Sequence, residues 1–330
     1  MPRVRAGDDP FSASALLRTV PRLWDNLPVW GQLNITWRCN LACVYCNQYD
    51  NTRGHVAFDT LAQRIDHAAE LGCLDLHLLG GEPLLHPDVV RLTRRIREKR
   101  MTTGVTTNGF LLTQANLEAL IEAGIGRLQI SVDAVRPTAG IPKTLKTLAR
   151  KIEMAATYPV RTYVNAVLCS QTLDQVEEIA TFCFDHGVSV SFSVVHDAGR
   201  LRTTHTELLL RKLDWLDAQR RAGKPVHISS WLSQYYRRTL QGKPFDWVCH
   251  AGAKCFYVGA DGMYYFCYDV SSGRDFLSIT RQDLAGFRNP KGCESNCGVD
   301  CMVQTSMVFS NPVRVVAAEL KDRLARAGVR

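Results

Sequence analysis

The chain has 330 residues, 46% hydrophobic and 22% charged, with a formal net charge of +8. That length holds one large α/β domain with an appendage, no apolar run approaches the ~18 residues of a membrane-spanning helix, and no export signal opens the chain. Twelve cysteines without such a signal imply a reducing, cytoplasmic setting in which clustered thiols bind metal. The basic charge is spread along the chain. It reads first as a solvated basic surface, with an anionic substrate or an acidic redox partner as the alternative, and no arginine-rich block with interleaved aromatics marks a nucleic-acid interface.

Residues 1–30 read as an N-terminal leader. Its partly amphipathic stretch Phe11–Trp24, interrupted by Pro21, suits packing on the protein body, with peripheral membrane contact as the alternative. From residue 31 to 225 short β-rich runs alternate with helical patterns. The expected strands are Leu33–Trp37, Asp75–Leu79, Thr103–Thr107, Arg127–Val132, Arg161–Leu168 and Val188–Val195. Between them, apolar residues recur at three- and four-residue spacing and stop at glycine: Leu61, Ile65 and Ala68 before Gly72; Leu117, Leu120 and Ile121 before Gly124; Val176, Ile179, Ala180 and Cys183 before Gly187. Six β–α repeats make a parallel sheet with right-handed crossovers, an α/β fold of the partial (β/α)6 barrel kind. A helix is expected around Thr204–Ala222. Residues 226–310 then form a small cysteine-rich α+β module, with a hairpin of Phe256–Val258 and Met263–Phe266 about Gly259–Gly262. Asn311 as cap, Pro312, and apolar Val316, Leu320 and Leu324 make 311–330 a closing helix.

Chemistry-bearing residues fall at the carboxyl ends of these strands, where parallel α/β sheets bind ligands. After the first strand come Cys39, Cys43 and Cys46 in a C-x3-C-x2-C loop. Soft thiolates suit an iron–sulfur cluster, and three of them leave one iron open. Structural zinc, completed by His55, is the alternative. After the second strand stand Gly80, Gly81 and Glu82, where glycines allow close backbone approach and the acid offers a carboxylate to an amine. Asn108 follows the third strand, either hydrogen bonding near a ligand or shaping its turn. Ser131 and Asp133 share one face at the end of the fourth. Asn165, Cys169, His196 and Asp197, at the fifth and sixth, are candidate substrate-lining residues. Cys73 and Cys183 read as small core residues.

The segment CNLACVYC, with Tyr45 at the aromatic position, resembles the signature of the radical S-adenosylmethionine (radical SAM) superfamily, and the GGEP and TNG segments are similar to its further motifs. The resemblance implies a catalytic [4Fe-4S] cluster on Cys39, Cys43 and Cys46. It also implies S-adenosyl-L-methionine bound at the open iron with the help of Tyr45, Gly80, Gly81, Glu82, Asn108, Ser131 and Asp133. The implied activity is reductive cleavage of that cofactor to a 5′-deoxyadenosyl radical, which abstracts hydrogen from a small-molecule, lipid-linked or peptide substrate. The electron would come from a reduced flavodoxin- or ferredoxin-type donor. Cys249, then Gly262 with four residues before Cys267, then Cys293-x3-Cys297-x3-Cys301, resemble the twitch and SPASM extensions. They imply an auxiliary [4Fe-4S] cluster on Cys249, Cys267, Cys293 and either Cys297 or Cys301, with Cys255 left over. The cysteine list is shorter than a full SPASM extension has, and a zinc ribbon is the alternative. With no separate leader-peptide-binding domain evident in the sequence, a small or lipid-linked substrate is favoured. Methyl or adenosyl transfer on the same scaffold, and a non-catalytic metal scaffold, are the competing functions.

Overall fold

In the computed structural model the described residues are 20–197, 200–201 and 205–318. Most of the expected amphipathic leader therefore lies outside them, as do residues 319–330 of the expected closing helix; residues 312–318 are helical. Six strands, β1 (Trp30–Asn34), β2 (Asp75–Leu79), β3 (Thr102–Thr107), β4 (Arg127–Ser131), β5 (Arg161–Leu168) and β6 (Ser189–Val194), are parallel neighbours in chain order. Burial alternates residue by residue along β5 and β6. The strands thus bury Val164, Ala166, Phe192 and Val194 on one face and turn Tyr163, Asn165, Ser191 and Ser193 to the other.

Helices α1 (Phe58–Glu70), α2 (Val89–Glu98), α3 (Gln114–Glu122), α4 (Leu145–Ala156) and α5 (Val176–Asp185) make the crossovers. Their apolar stripes are those expected: Leu61, Ile65 and Ala68 on α1, and Val176, Ile179, Ala180 and Cys183 on α5, are buried. Cys73 is likewise buried, its thiol donating to the Asp75 carbonyl at 3.0 Å. The first strand lies three residues earlier than its expected Leu33–Trp37. Asn34 ends it by accepting the Thr36 amide on Oδ1 at 3.1 Å, which turns the chain into the cysteine loop.

Beyond β6 come a two-stranded ribbon of β7 (His196–Asp197) and β8 (Arg200–Leu201), then α6 (Thr206–Arg221) and α7 (Ser230–Leu240). The cysteine-rich region contributes β9 (Cys255–Val258), β10 (Met263–Cys267), β11 (Val270–Asp275), α8 (Arg281–Gly286) and α9 (Asp300–Ser310). The hairpin forms where expected, with Gly262 at φ +89°. Its β9 pairs in parallel with β1, Trp30 opposite Cys255. One nine-stranded sheet results, in the order β11-β10-β9-β1-β2-β3-β4-β5-β6, so the module continues the barrel sheet. The sequence pattern does not announce the helix at 300–310. Its first residue follows Val299, which supplies no side-chain cap, and the segment is held by burial of Met302, Val303, Ser306 and Met307.

The junction of β1 and β9 is packed to the limit. A Cβ on Gly31 would lie 2.3 Å from the Phe256 ring, so glycine is required there by contact. Gly31→Ala should destabilise the protein by about 1–3 kcal/mol in urea unfolding, and adding Phe256→Leu should recover part of that loss. Equal stability of Gly31→Ala and the parent would show that the ring has room to move.

Candidate active site

The cysteine loop is closed by its own backbone. Asp50 N donates to Trp37 O at 2.9 Å, Cys46 N to Cys43 O at 3.0 Å, and the Asn51 side chain brackets Cys39 through both its N–H and its carbonyl. Leu41 N donates to the Cys39 sulfur at 3.4 Å, and Asn108 Nδ2 points at it from 3.8 Å. Burial pushes the Cys39 and Cys43 thiols up, and the charge of the neighbouring loop cysteines adds to it. Half-buried thiolates that repel one another are stabilised by a polycation, and this donor set fits an iron–sulfur group. His55 Nδ1 meets Thr36 Oγ1 at 2.9 Å, which leaves Nε2 as its one nitrogen for a ligand.

The glycines of the next strand end answer to this loop. Gly81 N donates to Thr36 O at 2.9 Å and Glu82 N to Arg38 O at 2.8 Å. A Cβ on Gly80 would come within 2.7 Å of Thr36 O, and one on Gly81 within 2.3 Å of Arg38 O. The close backbone approach is therefore made by the chain itself. Glu82 is fully buried. Its carboxylate accepts from Leu84 N at 3.0 Å, Thr107 Oγ1 at 2.7 Å and Asn108 N at 2.7 Å. Burial pushes this carboxyl up, while the three donors pull it back. The acid is thus a clamp between the ends of β2 and β3. Asn108 both shapes its turn, accepting Phe110 N at 3.0 Å, and reaches the cysteine loop through Asn40 Oδ1 at 2.7 Å.

Tyr45 donates its hydroxyl to Asp133 Oδ2. The same oxygen accepts Lys143 Nζ at 2.8 Å, and Asp133 Oδ1 accepts Val167 N at 2.9 Å. Ser131 lies in register with Asn165, whose Oδ1 accepts Ser191 Oγ at 2.7 Å and Ser193 Oγ at 3.3 Å. Cys169 caps the end of β5, its amide donating to Thr172 Oγ1 at 3.3 Å. His196 and Asp197 belong to the short ribbon, and their side chains lie outside what is described. Two residues of this region carried no motif. Lys143 precedes a plain helix, and Asp300 begins α9, where its Oδ2 meets Ser193 Oγ at 3.2 Å. Asp300 also acts on the buried Tyr236 and on the half-buried Tyr268 and Cys301, and its contact with Ser193 sets the start of α9 over the polar face of β6.

The six C-terminal cysteines form one group. Cys293 is the thiol common to Cys249, Cys267 and Cys297, hydrogen bonding with Cys297. Cys249, Cys267 and Cys293 lie in the field of Lys291. Cys301 instead senses Asp300 and Cys267, and fully buried Cys255 senses Cys249, Cys301 and Cys267. Burial pushes Cys249 up to about 11. Among the described residues no three His, Cys, Asp or Glu side chains converge on a single metal ion.

Residues 33–183 match the family described as the Radical SAM superfamily. The match covers the strands and helices from the first strand to the fifth crossover helix, just under half of the chain. The chain is 34% identical over 175 residues to a PqqA peptide cyclase of Ruegeria pomeroyi, covering 51% of this chain and 47% of that one. To a GTP 3′,8-cyclase of Limosilactobacillus fermentum it is also 34% identical, over 185 residues, covering 51% and 54%. The chain thus spans about half the length of these curated relatives. The structure of Streptococcus suis SuiB bound to precursor peptide SuiA superposes with a TM-score of 0.64 at 15% identity, covering 85% of this chain and 69% of that one. This shared fold is the expected partial barrel. The family is one of [4Fe-4S] clusters and S-adenosylmethionine.

Glu82→Gln puts an amide donor against one of the three donors that the carboxylate now accepts. The variant should lose about 1–3 kcal/mol of stability in chemical denaturation, and Glu82→Ala should lose a similar amount. A Gln variant as stable as the parent would show that Glu82 does not clamp the two strand ends.

Proposed function

We propose that the chain is a radical SAM enzyme that cleaves S-adenosylmethionine reductively and abstracts a hydrogen atom from a substrate held on the polar face of the sheet. The observation that carries this reading is the pairing of the Gly81–Glu82 strand end, by backbone hydrogen bonds, with Thr36 and Arg38, which lead directly into the three-cysteine loop. A bound cluster with S-adenosylmethionine supplies one-electron cleavage of the cofactor to a 5′-deoxyadenosyl radical.

The protein's own residues hold, orient and enclose. Cys39, Cys43 and Cys46 would hold the cluster, while Tyr45, Gly80, Gly81, Glu82, Asn108, Ser131 and Asp133 frame the cofactor's place. Gln129, Tyr163, Asn165, Ser191, Ser193 and Asp300 offer the substrate hydrogen-bonding groups, and Cys169, at the end of β5, is a further candidate, as are His196 and Asp197 from their place in the chain after β6. Burial and Arg127 hold His77 down at about 3, so it stays neutral against Thr106 Oγ1 at 2.8 Å and adds no charge to this face. Cys249, Cys267, Cys293 and Cys297 would hold an auxiliary [4Fe-4S] cluster for electron transfer or substrate binding, the set favoured by the central place of Cys293. Cys301 and Cys255 are then spare thiols.

A peptide substrate is favoured by the named cyclase and by the peptide-bound fold relative. The equal likeness to a GTP cyclase keeps a small molecule as the second reading. The net positive charge of +8 suits an acidic flavodoxin- or ferredoxin-type donor. No helix among the described residues is long and apolar enough to cross a membrane.

Anaerobic reconstitution should give about eight irons per chain, as two four-iron clusters require, falling to about four in Cys39→Ala or Cys297→Ala. Cys301→Ser should keep the parent iron content; loss of four irons there would exchange Cys301 for Cys297. With dithionite and S-adenosylmethionine the parent should release 5′-deoxyadenosine and methionine. No release above the Cys39→Ala control would sink the proposal, and S-adenosylhomocysteine as the product would replace it with methyl transfer.

A further inference from the structure

Lys143 is a buried cation that no sequence motif singles out, set behind the cysteine loop. Its side chain is 12% exposed and that of its partner Asp133 is 1% exposed. The backbone fixes its root: the Lys143 carbonyl accepts both Asp133 N at 2.9 Å and Ala134 N at 3.3 Å. The preceding Gly140 carbonyl accepts Val44 N at 3.1 Å, which ties the lysine's loop directly to the cysteine loop. The ammonium stands 5.2 Å from the centre of the Tyr45 ring, and Tyr45 lies between Cys43 and Cys46 in sequence.

We propose that Lys143 is the positioning residue that sets the electrochemistry of the cysteine loop, a fixed positive charge beside Cys43 and Cys46 that makes a bound cluster easier to reduce. The inference rests on the radical SAM reading and extends it to the control of electron delivery. A buried pair such as Lys143–Asp133 is expensive to desolvate and contributes little to stability by itself, so its presence at this place calls for a local use of the field. Burial works against the ammonium, but Asp133 and the loop thiols overcome it and hold the lysine above its usual range. The charge is therefore present throughout the physiological range. Adding one electron to a site framed by three thiolates adds negative charge, and a largely buried cation beside the Tyr45 ring of that loop stabilises the added charge more than it would in water.

The test is an EPR-monitored redox titration of the full-length reconstituted protein without S-adenosylmethionine, taking the signal absent from Cys39→Ala as that of the catalytic cluster. Lys143→Met should keep the parent iron and sulfide content but accept an electron about tenfold less readily, a midpoint lowered by about 59 mV for one electron. Lys143→Arg should titrate close to the parent. Asp133→Asn, which removes the opposing charge and leaves the lysine, should move the midpoint the other way. A merely structural role would not give opposite signs for the two partners. A Lys143→Met cluster at the parent midpoint would overturn the proposal. Loss of iron from Lys143→Met and Lys143→Arg alike would also overturn it, by making the side chain a structural prop. Failure of the parent itself to assemble a cluster would instead sink the radical SAM reading beneath it.

Discussion

The site depends on two backbone hydrogen bonds, Gly81 N to Thr36 O and Glu82 N to Arg38 O. They extend the pairing of β1 and β2 past the last ladder residues and carry the cysteine loop out along the end of the sheet. Neither could form if residues 80 and 81 had side chains, because a Cβ would press on the carbonyls of Thr36 and Arg38. The neighbouring acid then passes the constraint on. By accepting from both Thr107 and Asn108, Glu82 fastens the third strand end to the second, and Asn108 returns to the loop through Asn40. Three successive strand ends and the thiols are thus one hydrogen-bonded unit.

Charge is arranged in the same compact way. Glu82 and Asp133 are both nearly or fully buried, and each is met by several donors, as buried carboxylates must be. Asp133 takes a phenol, an ammonium and a backbone amide. The first joins it to the cysteine loop and the last to β5. The third and fourth strand ends are therefore bound into the site by side chains, where the second is bound to the chain leading into the cysteine loop by backbone.

Much of this is legible in the sequence because periodicity and glycine punctuation report directly on burial. The second and fifth strands fall on their expected residues, and α1 and α5 bury their expected stripes. The cysteine loop, the Gly80–Glu82 turn and the hairpin glycine are also plain, since each needs a particular residue type. What escapes has no local signature. The strand of Trp30–Asn34 contains a glycine whose reason is the ring of Phe256, more than two hundred positions away. Helix α9 has no polar cap and a run of β-branched and sulfur side chains, so only its burial explains it. Lys143 and Asp300 look like ordinary surface charges in the sequence, and tertiary contacts alone give them partners. Sequence logic has Gly80 and Gly81 making room for a ligand, whereas the nearest body they accommodate is the protein's own backbone.

The pairing of β1 with β9 also bears on how the chain comes to be folded. During synthesis β1 can pair with β2 early, but its other edge must wait until residues 255–258 are made. Until then it presents unpaired amides and carbonyls, a template for intermolecular pairing. Contacts of such sequence separation are slow to form because loop closure precedes any gain from them. The late arrival of β9 would therefore both complete the sheet and retire the edge most prone to aggregation. Truncated chains ending before the cysteine-rich region would carry that edge permanently.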